Sequence, residues 1–195
     1  MEKFNLITYA TKKNKNDISF LNEKEAKKSF QYHKSFPEYK ETPLICLKKL
    51  SVELGVKKIY VKDESYRFGL NSFKVLGGSY CIANYIAKIL KKNVSELTFK
   101  NLVSPEIKKK LGKIVFATAT DGNHGRGIAW TANKIGQKAK IFMPKGTTQE
   151  RLKNILKENA DAAIYELNYD DCVRYADKYA KENNGVMVQD TSWKG

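Results

Sequence analysis

Two short stretches hold the residue types from which chemistry is built. The first, Asn71-Ser72-Phe73-Lys74, ends in a lysine at the start of an apolar helical pattern. Most lysines are solvated, and on residue type alone Lys74 reads as a surface cation. Its neighbours favour another reading. Asn71 and Ser72 are helix N-cap types, Val75-Leu76-Gly77-Gly78-Ser79 lets a helix pack closely, and Phe73 and Val75 flank the amine. An amine partly removed from water is biased towards the neutral, nucleophilic form that a Schiff-base lysine needs. The second stretch, residues 118–127, places Gly122, Gly125 and Gly127 within six residues. Such glycines permit tight turns and close approach of the backbone to a ligand. The helix that follows offers free amides and a positive dipole end to a carboxylate or phosphate. Neither GxGxxG nor GxxxxGK[ST] matches, so this is not a nucleotide fingerprint. A glycine-rich strand-to-helix turn without a ligand is the other reading, and the residues alone leave both open.

The elements around these stretches follow from periodicity. A helix is expected around residues 23–32. After Pro37 and Thr42-Pro43 comes Leu44-Ile45-Cys46-Leu47, then a short helix reaching Leu54 and closed by Gly55. Residues 57–62 alternate and are β-rich, a strand that delivers the chain to the lysine stretch. From 73 to 90 the apolar spacing is helical. The polar stretch 91–111, with Pro105, reads as a lobe boundary. Beyond it strands at 113–117, 139–143, 162–167 and 186–189 alternate with helices at 128–135, 148–159 and 170–183. This alternation predicts an α/β fold, a parallel sheet with covering helices, whose ligand crevice lies at the carboxyl ends of the strands.

Composition narrows the function classes. The chain has 195 residues, 42% apolar and 29% charged, enough for a sizeable core without disulfides or metals. No apolar run reaches the roughly 20 residues of a membrane span. The N-terminus lacks the apolar region of a signal peptide. Cys46, Cys81 and Cys172 form no CxxC pair, which argues against zinc or a disulfide framework and for a reduced, cytoplasmic setting; Cys81 and Cys172, within helical patterns, read as core or near-core thiols. The net charge of +15 comes from lysines spread along the chain, with arginine only at 67, 126, 151 and 174. The densest cluster, Lys108-Lys109-Lys110, has no interleaved aromatics, so the charge reads as a solvated surface rather than a nucleic-acid site.

Ser72-Phe73-Lys74 followed by Gly77-Gly78, with Thr120-Asp121-Gly122-Asn123-His124-Gly125 further on, resembles the fold-type-II pyridoxal-phosphate enzymes, whose fold is tryptophan synthase beta-like. Residues 64–74 and 119–127 narrow the resemblance to the diaminopropionate ammonia-lyases. Asp121 stands where dehydratases carry a small or hydroxyl residue. Phe142-Met143-Pro144, Gln149-Glu150-Arg151 and Val188-Gln189-Asp190-Thr191-Ser192-Trp193 fit the same subfamily. The resemblance runs from about Thr42 to the end of the chain.

The resemblance implies that Lys74 carries pyridoxal 5'-phosphate as a Schiff base and, once freed, acts as a base on the substrate Cα–H. Asp121 matches a second base on the opposite side, and Asp190 an acidic group near the substrate's distal ammonium. Asn123 matches the residue bonded to the cofactor's phenolic oxygen. Backbone amides of Gly122, Asn123, His124 and Gly125 would seat the substrate carboxylate, with the His124 side chain a packing residue. The implied reaction is α,β-elimination of ammonia from the small amino acid 2,3-diaminopropionate, giving pyruvate and ammonia. A homodimer or higher oligomer is implied, without nucleic acid, membrane or metal. By the same resemblance, residues 1–95 belong to the large cofactor domain, 96–190 form a small α/β domain, and 191–195 begin the crossover. Glu64 and Arg67 are candidates for an ion pair shaping the lysine stretch.

The chain also departs from the family. It has about half the usual length, and after Gly127 its glycines, at 136, 146, 185 and 195, stand singly. The second glycine-rich loop, which cradles the cofactor phosphate in the family, is therefore missing. The resulting expectation is a truncated fold holding the cofactor weakly by itself, with an apolar face left exposed. An inactive fragment and a related serine/threonine dehydratase are the alternatives, with a basic nucleic-acid-binding domain, for which no motif is present, the last of them.

Overall fold

The computed structural model describes Ser19 and residues 21–191. Ser192, Trp193 and most of the crossover expected at 191–195 lie outside the described residues. Helix α1 (Glu23–Lys34) starts where the Asn22 side chain accepts from the Glu25 amide. Strands β1 (Leu44–Cys46) and β2 (Tyr60–Lys62) pair antiparallel around helix α2 (Lys48–Glu53). A 3₁₀ segment over Glu64–Gly69 then leads into α3 (Lys74–Leu90). The stretch expected to be a lobe boundary is packed. It holds a 3₁₀ turn (Val94–Glu96), α4 (Phe99–Leu102) and α5 (Pro105–Leu111), each started by a capping side chain, Asn93, Thr98 or Ser104. These caps turn the polar residues outward while Val94, Leu97, Leu102 and Ile107 go inside. One hydrophobic cluster joins Val75, Ile82 and Ile86 to Phe116, Ile128 and Ile141, spanning both sides of residue 95.

The remainder alternates as the sequence predicts: β3 (Val115–Ala119), α6 (Asn123–Lys134), β4 (Lys138–Met143), α7 (Gln149–Leu156), β5 (Asp161–Ile164), α8 (Tyr169–Glu182) and β6 (Val186–Met187). The sheet is parallel throughout, in the order β5-β4-β3-β6. Strand β3 runs two residues later than expected and takes in Thr118 and Ala119, both fully buried. A central parallel strand is covered on both faces, so a buried threonine belongs to it as readily as a valine. Helix α6 starts at Asn123, five residues earlier than expected. Residues 118–127 are thus a strand end, a short turn and the first turn of a helix rather than one loop.

Two of the glycines therefore serve packing rather than turning. A Cβ on Gly127 would stand 2.8 Å from the Val75 Cα, and one on Gly78 would stand 2.6 Å from the Ile128 Cδ1. Helices α3 and α6 cross through these glycines, main chain close to main chain. Helix α1 is tied to the first turns of α3 by His33, whose Nε2 lies 3.0 Å from both the Leu76 carbonyl and the Ser79 hydroxyl. Cys172 is buried as expected, but Cys81 is exposed, because its position on α3 faces a cavity rather than the core. Among the described residues no helix is long and apolar enough to cross a membrane.

Two outcomes follow. Gly127→Ala should destabilise the protein by about 1–3 kcal/mol, the usual cost of overpacking, because its obstacle is backbone. Gly77→Ala meets nothing within 4 Å and should be neutral or stabilising; denaturant titration of both variants checks the contrast. Burial lowers the His33 pKa from 6.5 to about 4, despite the bonding Leu76 carbonyl. His33 is thus neutral when folded, while the unfolded chain binds a proton below 6.5. Its contribution is present above that pH and is lost as pH falls towards 4. His33→Gln should flatten this part of the stability–pH curve.

Candidate active site

The approach to Lys74 is built on a buried cation. The Arg67 guanidinium, almost fully enclosed, donates to both Glu64 oxygens at 2.8 and 2.9 Å, to the Thr42 hydroxyl at 3.1 Å and to the Lys40 carbonyl at 3.2 Å. Its central carbon lies 5.5 Å from the centre of the Tyr39 ring. The bond from Arg67 holds the Glu64 carboxyl below its ordinary range, and the same bond raises Arg67. The ion pair suggested by the sequence thus pins the 3₁₀ segment to the stretch at Lys40 and Thr42 that leads into β1. Beyond it the chain turns sharply through Phe68, Gly69 and Asn71, with φ of 50°, 71° and 57°. Asparagine tolerates this left-handed region better than most residues, so Asn71 makes the turn and does not cap. Phe73 is the helix N-cap residue, and Ser72 contributes by accepting from the Lys74 amide at 3.2 Å. Arg126 closes the turn from the other side, donating to the Leu70 carbonyl at 3.3 Å and to Glu158 at 3.1 Å.

The Lys74 amine is not desolvated. Its side chain is 41% exposed and Phe73 points outward at 59% exposure. The amine donates to Asp190 Oδ2 at 2.7 Å. That bond raises the Lys74 pKa above 10.5, more than partial burial lowers it. The resting group is an ammonium, and the expected neutral amine is overturned because a carboxylate outweighs the weak burial. Burial pushes Asp190 up, but the bond from Lys74 and nearby positive charge push it further down, below 3.8. His124 is buried, its pKa lowered chiefly by that burial, and its Nε2 lies 2.9 Å from the Val188 carbonyl. Lys74, Gly77, Gly78, Cys81, His124 and Asp190 line a cavity of about 280 Å³.

At the start of α6, Thr120 intervenes. Its hydroxyl accepts from the Gly122 amide at 3.0 Å and the Gly125 amide at 3.2 Å. Two of the amides expected to seat a carboxylate are therefore satisfied from within, because the strand-end threonine lies directly under the turn. Asn123 is exposed and is not among the residues lining the cavity. Asp121 is 73% exposed and pairs with Arg151 at 3.2 Å, its own carbonyl accepting a second bond from the same nitrogen at 3.1 Å. Its charge still acts on Lys74. The structure thus brings Lys74, His124 and Asp190 together and sets Asp121 and Asn123 at the neighbouring turn. Sequence reasoning missed Gln189 and Tyr169. The Gln189 amide bonds Thr118, both main-chain groups of Ala119 and the Tyr169 hydroxyl. Its only signal was adjacency to Asp190. Among the described residues no cluster of His, Cys, Asp and Glu fits a metal ion.

The chain is similar to known proteins. The diaminopropionate ammonia-lyase of Salmonella typhimurium is 48% identical over 178 residues, covering 91% of this chain and 44% of that protein. The crystal structure of the Escherichia coli diaminopropionate ammonia-lyase in apo form superposes with a TM-score of 0.83 at 46% identity, covering 89% of this chain and 46% of that one. The same E. coli enzyme in complex with an aminoacrylate–PLP azomethine reaction intermediate gives 0.83 at 42% identity, over 93% and 45% of the two chains. The chain thus spans less than half the length of these relatives. The fold is that of the fold-type-II enzymes. The family model described as "Pyridoxal-phosphate dependent enzyme" matches residues 36–193. With its lysine at a helix start beside a glycine-lined cavity, the chain belongs to the pyridoxal-phosphate dependent enzyme family.

Proposed function

We propose that this chain provides the lysine-bearing part of a diaminopropionate ammonia-lyase, which eliminates ammonia from 2,3-diaminopropionate to give pyruvate and a second ammonia. The observation that carries the reading is the Lys74–Asp190 pair at 2.7 Å on the wall of a glycine-lined cavity. The residues fit the aldehyde and ring end of pyridoxal phosphate. A primary amine stands open to approach, and Gly77 leaves the wall beside it flat, since a Cβ there would meet only open space. No second glycine-rich loop is present in the sequence for the phosphate, so this chain alone is expected to hold the cofactor weakly. When bound, the cofactor supplies the electron sink for the carbanion at the substrate Cα.

The chain's own residues do the rest. Lys74 holds the cofactor and, when its amine is free and neutral, takes the proton from Cα. To become neutral it passes its proton to solvent, because Asp190, the carboxylate it already touches, is held below the ordinary carboxylate range and stays ionised. Once Lys74 is no longer an ammonium, Asp190 is left as an anion in a half-buried place, a seat for the distal ammonium of the substrate. Asp121 is the base for the opposite face, and acts after leaving Arg151. A carboxylate and an amine on opposite sides of one planar carbon accept either enantiomer. Asn123, at the neighbouring turn, would hold the phenolic oxygen of the cofactor. The amides of Gly122, Asn123, His124 and Gly125 seat the substrate carboxylate, with the Thr120 hydroxyl giving up its two bonds to make room. In the complete fold residues 1–95 and 96–190 contribute to the large and small domains respectively. The family resemblance supports a homodimer, and the three unpaired cysteines fit a reduced, cytoplasmic setting.

Two outcomes test this. Borohydride treatment of the chain with pyridoxal phosphate, followed by peptide mapping, should place the label on Lys74; label on other lysines and none on Lys74 overturns the assignment. In a polypeptide of the relatives' full length, Asp121→Asn should slow one enantiomer of diaminopropionate by roughly 10²–10⁴-fold and spare the other. Equal loss on both enantiomers would mark Asp121 as structural.

A further inference from the structure

The pairing of β6 with β3 breaks off in an informative way. Phe116 pairs with Val186 and Ala117 with Met187, and the Val188 amide donates to the Ala117 carbonyl at 2.9 Å. Continued in register, this parallel ladder sets Gln189 opposite Ala119. The Ala119 amide would then donate to the Val188 carbonyl, and the Ala119 carbonyl would accept from the Asp190 amide. Neither bond forms. The Val188 carbonyl bonds His124 instead. Both main-chain groups of Ala119 are met by one side chain: Gln189 Oε1 accepts from its amide at 3.3 Å, and Gln189 Nε2 donates to its carbonyl at 3.2 Å. The same side chain is anchored further by the Thr118 hydroxyl at 2.8 Å and the Tyr169 hydroxyl at 2.7 Å.

We infer that Gln189 is a positioning residue of the site: its side-chain amide fills the two rungs that β6 would otherwise occupy, so the main chain leaves the sheet after Val188 and carries Asp190 to Lys74. Ala119 is fully buried, and unpaired main-chain groups there would be costly. A side chain that satisfies them lets the strand end without that cost. It also leaves the Asp190 amide free of the ladder, and the carboxylate then reaches the amine at 2.7 Å. Thr118 and Ala119 belong to the central strand, so the mount on which Asp190 sits is as rigid as the sheet. The groups facing Lys74 are Asp190 beyond β6, His124 on α6, Tyr169 on α8 and Asp121 at the turn before α6. Arg151 of α7 offsets Asp121, and Asp190 is the one acid bonded to the amine.

The inference rests on the proposed pairing of Lys74 with Asp190, and its test needs no cofactor. The lysines are methylated reductively with carbon-13-labelled formaldehyde, the Lys74 signal is assigned with Lys74→Arg, and its titration midpoint is followed by NMR. Asp190→Asn should lower the midpoint by about one pH unit, as loss of a contacting opposite charge does. Gln189→Met, which keeps the length and removes the amide, should lower it by at least half as much while the circular dichroism stays that of the parent. A parent-like midpoint in Gln189→Met beside a lowered one in Asp190→Asn overturns the role of Gln189 and leaves the ion pair standing. No shift in Asp190→Asn overturns the ion pair itself. If Gln189→Met does not fold, Thr118→Val removes one anchor of the amide and should move the midpoint the same way by less; an unmoved midpoint there, with Asp190→Asn lowered, overturns the inference.

Discussion

Everything near Lys74 depends on how closely α3 and α6 approach each other. Gly127 lies against the backbone of Val75, the residue after the lysine. Helices separated by ordinary side chains run 8–10 Å apart, and glycine at the crossing allows less. That contact fixes the lysine relative to the amides at the start of α6, because both sit within one helical turn of it. The Arg126 bond to the Leu70 carbonyl adds a second restraint on the turn that enters α3. The Arg67 cluster adds a third from the opposite side. The site is thus held by backbone contact and buried cations on its approach, while the lysine side chain remains accessible.

The resting charge of the lysine follows from the same layout. Burial and a nearby carboxylate push an amine in opposite directions, and the balance depends on how much water is removed. A helix start is a poor place to remove water. A contact at 2.7 Å with Asp190 therefore decides the matter in favour of the ammonium. The structure thus stores the Lys74 amine as one half of an ion pair, and freeing it is a matter of charge exchange rather than of uncovering.

Much of the architecture was legible in the sequence, because parallel strands that are apolar throughout and helices with a single apolar face carry strong periodic signals. The α/β alternation, the helix beginning at Lys74 and the Glu64–Arg67 pair all follow from such local patterns. The boundaries around residues 118–127 were not legible, since glycine signals a turn and a close helix crossing equally well. Buried Thr118 and Thr120 look like loop residues until the neighbouring strands are in place. Pairs such as Lys74–Asp190 join residues far apart in the chain, and no periodicity reports them. The resemblance named Asp190 without revealing that it would touch the lysine. Gln189 is harder still, because its role is to imitate main chain, and nothing in a side-chain pattern records which rung of a ladder is missing.

The ribbon of β1 and β2 with α2 between them leaves Leu44, Ile45, Val52, Leu54 and Val61 in solvent, and among the described residues its strands are paired only with each other. Unpaired strand edges beside apolar side chains are adhesive. Around them stand Lys48, Lys49, Lys57, Lys58 and Lys62, within a chain whose net charge is +15. Like charges of this density keep two such surfaces apart so long as their field extends across the gap, about 10 Å at 0.1 M salt and about 3 Å at 1 M. The colloidal behaviour of the protein is therefore set by ionic strength: dilute buffer keeps the ribbons apart by repulsion, and concentrated salt leaves only their adhesion.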